Sequence, residues 1–472
     1  MPLILGAQSA LGPTALVTNS CRFNEVDDPV MEKSLGTPTS TKIFTVSTWV
    51  KAMSDASADT CVAAGYVSSS DVWNLQFGAS KIQLTGTGNL DLATTQVFRD
   101  ASAWWHICMA VDTSQVTDTN RVKLYVNGTQ ITSFSSTTYP TQDDVPAWCN
   151  SSATLYVGNG RTTGALSKPF DGYIAEFCFV DGQQLAPTSF GEFDSDSPTI
   201  WKPIDVSGLT FGDNGCYLDF EDSANLGNDA NGGTDLTETN LAAVDQCVDS
   251  PVNNFCTMNP LDNYYPASTF SEGYNVVVTS SGNSTFNTAT IPIQAGKWYA
   301  EIKCGTVPTY THIGISDKIS TGTSDSLGDN TYEYSYLGYN GNIVTGASSS
   351  SYGDTYTTGD IIGIYLDLDN SKLYFGKNGT VQNSGTGVSI SAVSGAVSSW
   401  YVMAFGDEDG GATATGNFNF GNGSFGGTAV SSGNTDTNGY GNFEYNPSSG
   451  TFDGGSKDFL AICTKNLGSD GG

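Results

Sequence analysis

Residues 359–379 contain two runs of alternating apolar and polar side chains on either side of an Asp-Asn-Ser turn. This is the sequence form of a β-hairpin, because successive side chains on a strand point to opposite faces. The alternation predicts one apolar face and one wet face. The predicted apolar face comprises Ile362, Ile364, Leu366, Leu368, Leu373 and Phe375, and the predicted wet face comprises Tyr365, Asp367, Asp369, Lys372 and Tyr374.

A similar hairpin is predicted in the first half of the chain. Lys-Leu-Tyr-Val-Asn-Gly-Thr at 123–129 matches Lys-Leu-Tyr-Phe-Gly-Lys-Asn-Gly-Thr at 372–380. Asn-Gly is favoured in two-residue hairpin turns, because both turn positions adopt positive φ angles. The repeat predicts two domains of the same kind, in agreement with a length of 472 residues, which exceeds one ordinary core.

The composition favours an all-β fold. Fifty-five glycines, with abundant Ser, Thr, Asn and Asp, indicate many short strands joined by turns, and helix should be scarce. Residues 214–220 form a last strand of the first half, which could pair with residues 19–24 and close the sandwich. Such closure by the two ends is common in two-sheet jelly rolls.

The charge of the chain restricts its partners. Forty-eight acidic against 18 basic residues give a formal net charge of −30. Phosphate binding needs clustered Lys and Arg, so a nucleic-acid partner is excluded, and adhesion to anionic lipid is disfavoured. No run reaches the roughly 18 apolar residues of a membrane span, so no membrane insertion is expected. The acidity favours solubility; no cofactor is predicted, and a calcium-loaded surface is the alternative.

The ten cysteines do not indicate a disulfide scaffold in a chain of this size. Several lie inside apolar runs, such as Cys108 and Cys178, where a small buried hydrophobe suits the pattern. No Cys-x-x-Cys pair is present, so a zinc site is not predicted. We expect the thiols to be mostly reduced.

No catalytic residue is predicted. Asp367 and Asp369 share a strand face at a spacing of roughly 6–7 Å, but Asp369 lies in the turn, where Asp is common. His106 and His312 lie in strands beside bulky apolar residues, which favours core or strand-surface positions over a catalytic triad or a metal cluster.

Glu176 is a further acidic candidate. The alternation predicts that it shares a face with Ile174 and Cys178, where burial would raise the pKa of its carboxyl toward the range of acid catalysis. No partner carboxylate is evident in the pattern, so a structural role is favoured.

A concentration of tyrosines before the second hairpin supplies the candidate ligand-binding residues. Aromatic side chains offer a large rigid area with a polar group, which suits sugars and protein partners. Packing inside the sandwich is the alternative for Tyr332, Tyr334 and Tyr336, which share one parity. The candidate residues are Tyr332, Tyr334, Tyr336, Tyr339, Tyr352 and Tyr356.

Several motifs of the first half, in the same order along the chain, resemble the laminin-G-like, concanavalin A-like lectin domains of tailed-phage virion proteins. They include Phe-Thr-Val-Ser-Thr-Trp-Val-Lys at 44–51 and Phe-Asp-Gly-Tyr-Ile-Ala-Glu at 170–176. The other motifs lie at 19–24, 98–106, 121–128, 181–185, 190–193 and 214–220. The resemblance implies a jelly-roll sandwich of the concanavalin A-like kind over residues 19–231.

Motifs of the second half look like a SPRY domain, another concanavalin A-like sandwich. They include Trp-Tyr-Ala-Glu-Ile at 298–302, Ile-Gly-Ile-Ser at 313–316 and the hairpin described above. The predicted fold is thus all-β, with two tandem concanavalin A-like jelly-roll sandwiches, laminin-G-like and then SPRY-like. The predicted segments are an N-terminal arm (1–18), the first sandwich (19–231), a linker (232–272), the second sandwich (273–425) and a Gly- and Asn-rich segment with a closing strand (426–472).

The resemblance implies a non-enzymatic phage virion surface protein, either a tail fibre or spike-type adhesin or a capsid decoration. Its expected partners are other virion proteins and host cell-surface glycans, and a homo-oligomer, a trimer by analogy, is expected. Such a protein would be assembled in the host cytoplasm and exposed on the particle. Two alternatives stay open, namely a purely structural capsid or tail component and a glycan-cleaving enzyme on the same fold.

Overall fold

The computed structural model describes residues 17–52, 59–86, 90–161, 165–262, 268–281, 284–320, 325–396, 398–408 and 411–470. The chain divides into two compact units, the first ending at Val252 and the second beginning at Asn253. Residues 1–16 of the predicted N-terminal arm lie outside the described residues.

The first domain consists of short strands and five 3-10 turns. Its strands are β1 (Ser20–Phe23), β2 (Val30–Ser34), β3 (Ile43–Ala52), β4 (Thr60–Ser68), β5 (Asp71–Gly78), β6 (Lys81–Gly86), β7 (Leu90–Thr94), β8 (Trp105–Asp112), β9 (Val122–Val126), β10 (Thr129–Ile131), β11 (Phe134–Thr138), β12 (Thr154–Val157), β13 (Gly172–Asp181), β14 (Gly191–Phe193), β15 (Trp201–Pro203), β16 (Cys216–Leu218), β17 (Thr237–Thr239) and β18 (Gln246–Cys247). The 3-10 turns are Glu25–Asp27, Asp118–Asn120, Ala147–Cys149, Pro187–Ser189 and Ala243–Asp245.

Two antiparallel sheets enclose the core of this domain. Sheet 1 has the order β10-β9-β8-β3-β13-β1-β18, with β16 also paired to β13, and sheet 2 has the order β11-β7-β6-β5-β4-β12-β2-β17. Apolar side chains from both sheets meet between them; for example, the rings of Phe44 on β3 and Trp73 on β5 lie edge-to-face with centroids 6.4 Å apart. The sandwich predicted for this half of the chain is therefore present.

Strand β13 is interrupted by a β-bulge at Glu176. Ala175 pairs with Trp49 and Cys178 pairs with Ser47, so one residue of β13 is extra. Glu176 adopts a φ of 50°, which is unusual for a residue other than glycine. The bulge reverses the alternation of side chains along the rest of the strand.

The bulge makes one sequence expectation wrong. Ile174 packs in the core between the sheets, whereas Cys178 packs with Phe190, Val206 and other residues in a separate cluster. Ile174 and Cys178 therefore do not share a face with each other, because the extra residue shifts the alternation between them.

The predicted closure of the sandwich is also different. Strand β16 pairs with Phe177–Phe179 of β13, while β1 pairs with residues 172–174 of the same strand. The two strands thus lie beside different parts of β13 instead of beside each other. The other neighbour of β1 is β18.

The segment predicted as a linker belongs to the two domains. Strands β17 and β18 extend the sheets of the first domain, and Cys256 and Met258 lie in the core of the second. The domain boundary at 252/253 falls inside the predicted linker, 232–272. Asn, Asp, Thr and Pro are frequent both in linkers and in turns between short strands, so composition does not distinguish the two.

A buried ion pair attaches this segment to sheet 1. Lys51 Nζ lies 2.7 Å from Asp249 Oδ2, and these side chains are 0% and 1% exposed. Trp104 Nε1 donates to the other carboxylate oxygen at 3.0 Å, and Ser20 Oγ donates to the backbone carbonyl of Asp249 at 2.6 Å. The Lys51 ammonium also lies 5.7 Å from the ring centroid of Tyr173.

The second domain contains strands, two 3-10 turns (Asn383–Gly385 and Val393–Gly395) and the helix α1 (Thr464–Asp470). Its strands are β19 (Thr269–Ser271), β20 (Val276–Val278), β21 (Thr285–Thr288), β22 (Lys297–Thr306), β23 (Thr311–Ser316), β24 (Tyr334–Leu337), β25 (Asn342–Thr345), β26 (Ser348–Ser351), β27 (Ile361–Asp367), β28 (Lys372–Lys377), β29 (Thr380–Val381), β30 (Val388–Ser389), β31 (Val402–Asp407), β32 (Thr415–Asn419), β33 (Ser424–Phe425), β34 (Thr428–Ala429) and β35 (Leu460–Ala461).

These strands also form two main sheets around a core. Sheet 3 has the order β19-β20-β32-β22-β27-β28-β29, with β30 on β28 and β35 on β22, and sheet 4 has the order β21-β31-β23-β24-β25-β26. The matched segments both turn at Asn-Gly, between β9 and β10 and between β28 and β29: φ is 46° and 76° at Asn127 and Gly128, and 47° and 79° at Asn378 and Gly379. The all-β fold with two sandwiches is confirmed.

The hairpin β27–β28 differs from its prediction on one face. Its apolar face lies in the core as expected, but three residues of the predicted wet face are buried as well: Tyr365, Asp367 and Tyr374 are 1%, 0% and 0% exposed, whereas the side chain of Asp369 is 45% exposed. Phe452 and Phe459 cover it, with ring centroids 5.0 and 5.2 Å from that of Tyr365. Alternation along one strand does not reveal that a distant segment covers its outer face.

The covering segment belongs to the predicted Gly- and Asn-rich closing region. Glu301 on β22 accepts hydrogen bonds from the backbone N–H groups of Glu444 (2.9 Å) and Tyr445 (2.7 Å). Strand β35 of this region pairs in parallel with β22. The predicted boundary at residue 425 falls at the hairpin β33–β34, and the described residues beyond it belong to the second domain.

We predict that Asp249→Ala destabilises the first domain by about 3–5 kcal/mol, because it leaves the Lys51 ammonium buried without its counter-charge. Urea unfolding monitored for the first domain measures this change. Asp143→Ala is the matched control, because its ion pair with Lys42 (2.7 Å) is 57% and 36% exposed and should contribute at most about 1 kcal/mol. Equal effects of the two substitutions would contradict a role for residues 232–252 in the sandwich.

The second prediction concerns pH. Glu176 is 7% exposed, and its burial raises the pKa of the carboxyl from 4.5 to about 8, against the hydrogen bond that Tyr217 Oη donates at 2.8 Å. The folded state therefore retains a proton that the unfolded state releases near pH 4.5, so stability falls as the pH rises from 4.5 to about 8. Glu176→Gln should remove this loss.

We expect Glu176→Gln to raise the free energy of unfolding by about 5 kcal/mol at pH 9 and to leave it nearly unchanged at pH 4. Urea unfolding at several pH values measures the difference. Glu192→Gln serves as a control, because that side chain is 58% exposed. A difference between wild type and Glu176→Gln that does not change with pH would show that the carboxyl does not titrate in the folded state.

Candidate functional site

The structure places most of the candidate tyrosines in the core of the second domain. Tyr334, Tyr336, Tyr352 and Tyr356 are 5%, 0%, 8% and 1% exposed, and Tyr332 is partly buried against the same core. Only Tyr339 of the six is substantially exposed, at 50%. The six residues therefore do not form a surface platform.

The hydroxyl groups of the buried tyrosines explain why they tolerate burial. Tyr356 Oη donates to the carbonyls of Thr311 and Tyr336, at 2.8 and 2.9 Å. Tyr336 Oη donates to the carbonyl of Asp354, and Tyr352 Oη accepts from the backbone N–H of Phe375 at 3.0 Å. These bonds connect loops to strands inside the sandwich. Tyr336 therefore packs inside the sandwich, which was the alternative to a binding role at the surface.

Tyr339 has an exposed aromatic partner that the sequence did not indicate. Its ring lies edge-to-face with that of Tyr310, with centroids 5.4 Å apart, and Tyr310 is 39% exposed. Tyr310 lies in the loop between β22 and β23, and its carbonyl accepts from the N–H of Glu408 at 3.1 Å. No alternation marks a loop residue, so this pair depends on the tertiary structure.

His106 is held in a state that excludes base catalysis. Trp201 Nε1 donates to Nδ1 at 3.0 Å, so the ring proton lies on Nε2, which is 2.8 Å from Ser47 Oγ. An imidazole with its proton toward Ser47 cannot remove the proton of that hydroxyl. Burial lowers the pKa of His106 to about 3, so the ring is neutral.

The remaining acid–base candidates are also internally partnered. His312 Nδ1 lies 2.9 Å from Ser335 Oγ. Asp367 forms an ion pair with Lys457 (2.6 Å), and Asp369 forms a separate one with Lys297 (2.6 Å). Glu176 is too buried to contact a polymeric substrate in this conformation. Each of these groups has a structural partner.

A polar cluster on the outer face of sheet 2 is the strongest candidate site. Trp73, Leu75 and Phe77 of β5 point into the core, so the alternate residues Asn74 and Gln76 point outward. We call the following set the outer polar cluster: Asp59, Asn74, Gln76, Gln83, Thr85 and Lys168.

Hydrogen bonds connect the cluster across strands β5 and β6 and two segments outside the strands, at Asp59 and Lys168. Lys168 Nζ donates to Gln76 Oε1 at 2.6 Å and lies 3.2 Å from Asp59 Oδ2. Gln76 Nε2 donates to Gln83 Oε1 at 2.9 Å, and Thr85 Oγ1 lies 3.4 Å from Gln76 Oε1. The Asp59 side chain is 45% exposed, and that of Lys168 is 12% exposed.

Two local features shape the cluster. Gly78 makes room for it, because a Cβ there would lie 2.5 Å from Asp59 Oδ1 and 2.8 Å from Gln83 Nε2. The chain near Lys168 is held against β4 by hydrogen bonds from the Cys61 N–H to the Lys168 carbonyl (3.0 Å) and from the Lys168 N–H to Asn159 Oδ1 (3.2 Å). The site is thus built on strands and a tied loop.

Asn159 adds an unused donor close to this site. The residue is 0% exposed, and its Nδ2 is buried without a hydrogen-bond partner. Two residues after Asn159, the guanidinium of Arg161 lies 5.3 and 4.9 Å from the ring centroids of Tyr66 and Tyr156. None of these residues belongs to a motif that marks a binding site in the sequence.

The chemistry of the outer polar cluster suits binding of hydroxyl-rich ligands. An ammonium donates hydrogen bonds, a carboxylate accepts them and an amide does both, so the three groups together can bind adjacent hydroxyls. Its described residues include one carboxylate, Asp59, whereas glycosidic cleavage ordinarily requires two facing carboxyl groups. Among the described residues, no group of three or more His, Cys, Asp and Glu side chains is arranged to hold a metal ion.

Two further properties of the chain bear on its environment. All ten cysteines are free and buried. In the part of the chain that the structure describes, no helix has the length and hydropathy needed to cross a membrane.

Comparisons with known proteins identify both domains. Residues 28–184 match the Laminin_G_3 model of the concanavalin A-like lectin/glucanases superfamily, and residues 297–417 match the SPRY domain model. No curated protein matches the chain.

Solved structures similar to the chain include the SPRY domain of human HERC1, at 14% identity, covering 34% of this chain and 96% of that chain, with a TM-score of 0.29. Another human SPRY domain has 15% identity, 30% and 89% coverage, and a TM-score of 0.25. A heptameric SAP-like pentraxin from Limulus polyphemus has 12% identity, 37% and 80% coverage, and a TM-score of 0.27. The two family matches show that the chain carries a concanavalin A-like domain followed by a SPRY domain.

Proposed function

We propose that this protein is a non-enzymatic adhesin that binds surface glycans through the outer polar cluster of its first domain. The observation that carries the proposal is the connected set of Asp59, Lys168 and Gln76, in which a carboxylate (45% exposed) and an ammonium (12% exposed) are held in place by the buried Gln76 amide. Sugars present neighbouring hydroxyls, and such groups bind them through paired hydrogen bonds. The domain type is that of a lectin/glucanase superfamily, which agrees with a saccharide ligand.

The sequence resemblance to tailed-phage virion proteins supports a place on the surface of a phage particle. In that setting the protein would act as a tail fibre, a spike or a capsid decoration, with glycans of the host envelope as its ligand. The exposed pair Tyr310 and Tyr339 supports a contact of the second domain with other virion proteins, since exposed aromatic rings are frequent binding anchors.

We predict that Asp59→Ala and Lys168→Ala each weaken glycan binding by about ten- to 150-fold, because each removes a charged hydrogen-bonding group worth about 1.5–3 kcal/mol. Titration of the purified chain with host-envelope polysaccharides measures the affinity. Asp143→Ala and Lys42→Ala are the matched controls, since they break an exposed ion pair of the same type in the same domain.

Wild-type affinity in both cluster variants would contradict the assignment of the site. If the unaltered chain binds no polysaccharide, the glycan-binding proposal itself fails, and the purely structural alternative is favoured. Release of reducing ends from the polysaccharide would overturn the non-enzymatic part of the proposal.

A further inference from the structure

Strand β26 is an exposed edge of sheet 4. Its four residues, Ser348–Ser351, are all solvent-exposed, and β25 is its neighbour on one side. Within the described residues, no strand pairs with its other side. An edge of this kind presents unpaired backbone N–H and C=O groups that can pair with another chain.

The register shows which residues present those groups. Strands β25 and β26 are joined by the two-residue turn Gly346-Ala347, with φ of 55° at both positions, and Thr345 pairs with Ser348. In such a hairpin the residues flanking the turn exchange hydrogen bonds, and every second residue does the same. The backbone groups of Ser349 and Ser351 therefore face the open side.

Two other edges, one of sheet 4 and one of sheet 2, are covered or distorted. At the opposite edge of sheet 4, Thr288 of β21 donates its N–H to Asp262 Oδ2 at 2.9 Å, and its carbonyl accepts from the Asn259 N–H at 2.9 Å. Strand β11, an edge of sheet 2, is broken by a bulge between Phe134 and Ser136. Coverage and bulges prevent strand addition, and β26 has neither.

The surroundings of β26 indicate what kind of chain can approach it. No charged residue occurs between Glu333 and Asp354, in a chain with a net charge of −30. A second copy carries the same strong negative charge, so repulsion disfavours contact through acidic surfaces. The uncharged edge is a place where two copies can meet, and four small serines leave room for close approach.

We propose that β26 pairs antiparallel with β26 of a second copy of this chain, around a two-fold axis at Ser350. Ser349 of each copy would then lie opposite Ser351 of the other, and each would donate and accept one backbone hydrogen bond. The two copies of sheet 4 would join into one continuous sheet. This contact yields a closed dimer, since each copy offers its single β26 edge to the other.

The dimer goes beyond the proposed glycan binding and does not depend on it. If both functions are present, the dimer carries two glycan sites on one particle, and simultaneous engagement increases the apparent affinity for a surface with repeated glycans.

Sedimentation velocity of the full chain over a range of concentrations tests the proposal. We expect a monomer–dimer equilibrium in the wild type. Ser349→Pro removes an outward N–H, and Ser350→Asp places two carboxylates opposite each other at the axis, so each should weaken dimerisation by about tenfold. Ser350→Ala is the control and should dimerise as the wild type does, because it keeps the backbone groups and adds no charge.

Amide hydrogen exchange supplies a second readout that does not need a substitution. The amides of Ser349 and Ser351 should become protected as the concentration rises, whereas those of Ser348 and Ser350, bonded to β25, should be protected at every concentration. A wild type that stays monomeric, or a dimer that persists in both Ser349→Pro and Ser350→Asp, overturns the proposal. Pairing of β26 with an unrelated protein by a monomeric wild type would also overturn it.

Discussion

Each domain depends on burying both faces of one large sheet. In the first domain, sheet 1 packs on sheet 2, and its other face carries a second apolar cluster that includes Phe190, Val206 and Phe211. In the second domain, sheet 3 packs on sheet 4 and is covered outside by Phe452 and Phe459. Segments that look irregular in sequence supply this cover, and so the predicted closing region is a structural part of the second domain.

This arrangement decides where polar groups are available. On sheets 1 and 3 outward charged groups are buried and internally bonded: Lys51 on β3 pairs with Asp249, and Glu301 on β22 accepts hydrogen bonds from the backbone at Glu444 and Tyr445. On sheet 2 the outward side chains form a polar network that reaches the surface at Asp59. Hydrogen-bonded polar groups on the outer face of a sheet thus fix a covering segment on sheets 1 and 3. On sheet 2 such groups form the candidate binding surface.

The prediction from sequence was reliable where alternation acts within one hairpin. The core positions Ile364, Leu373 and Phe375, and the matched Asn-Gly turns, are all where the pattern placed them. The prediction was wrong where a distant segment of the chain changed the burial of a residue. The tyrosine platform was not found, because alternation cannot separate an aromatic ring in a core from one at a surface. The outer polar cluster was missed, because its members come from four separate parts of the chain and none forms a motif.

The sequence by itself determined the all-β class, the two repeated hairpins and the succession of two sandwich domains, because these depend on local alternation, turn residues and motifs that lie along the chain. The tertiary structure alone decided the bulge at Glu176, the cover over sheets 1 and 3, the outer polar cluster and the open edge at Ser349 and Ser351. These depend on contacts between residues far apart in the chain, which short-range patterns do not encode.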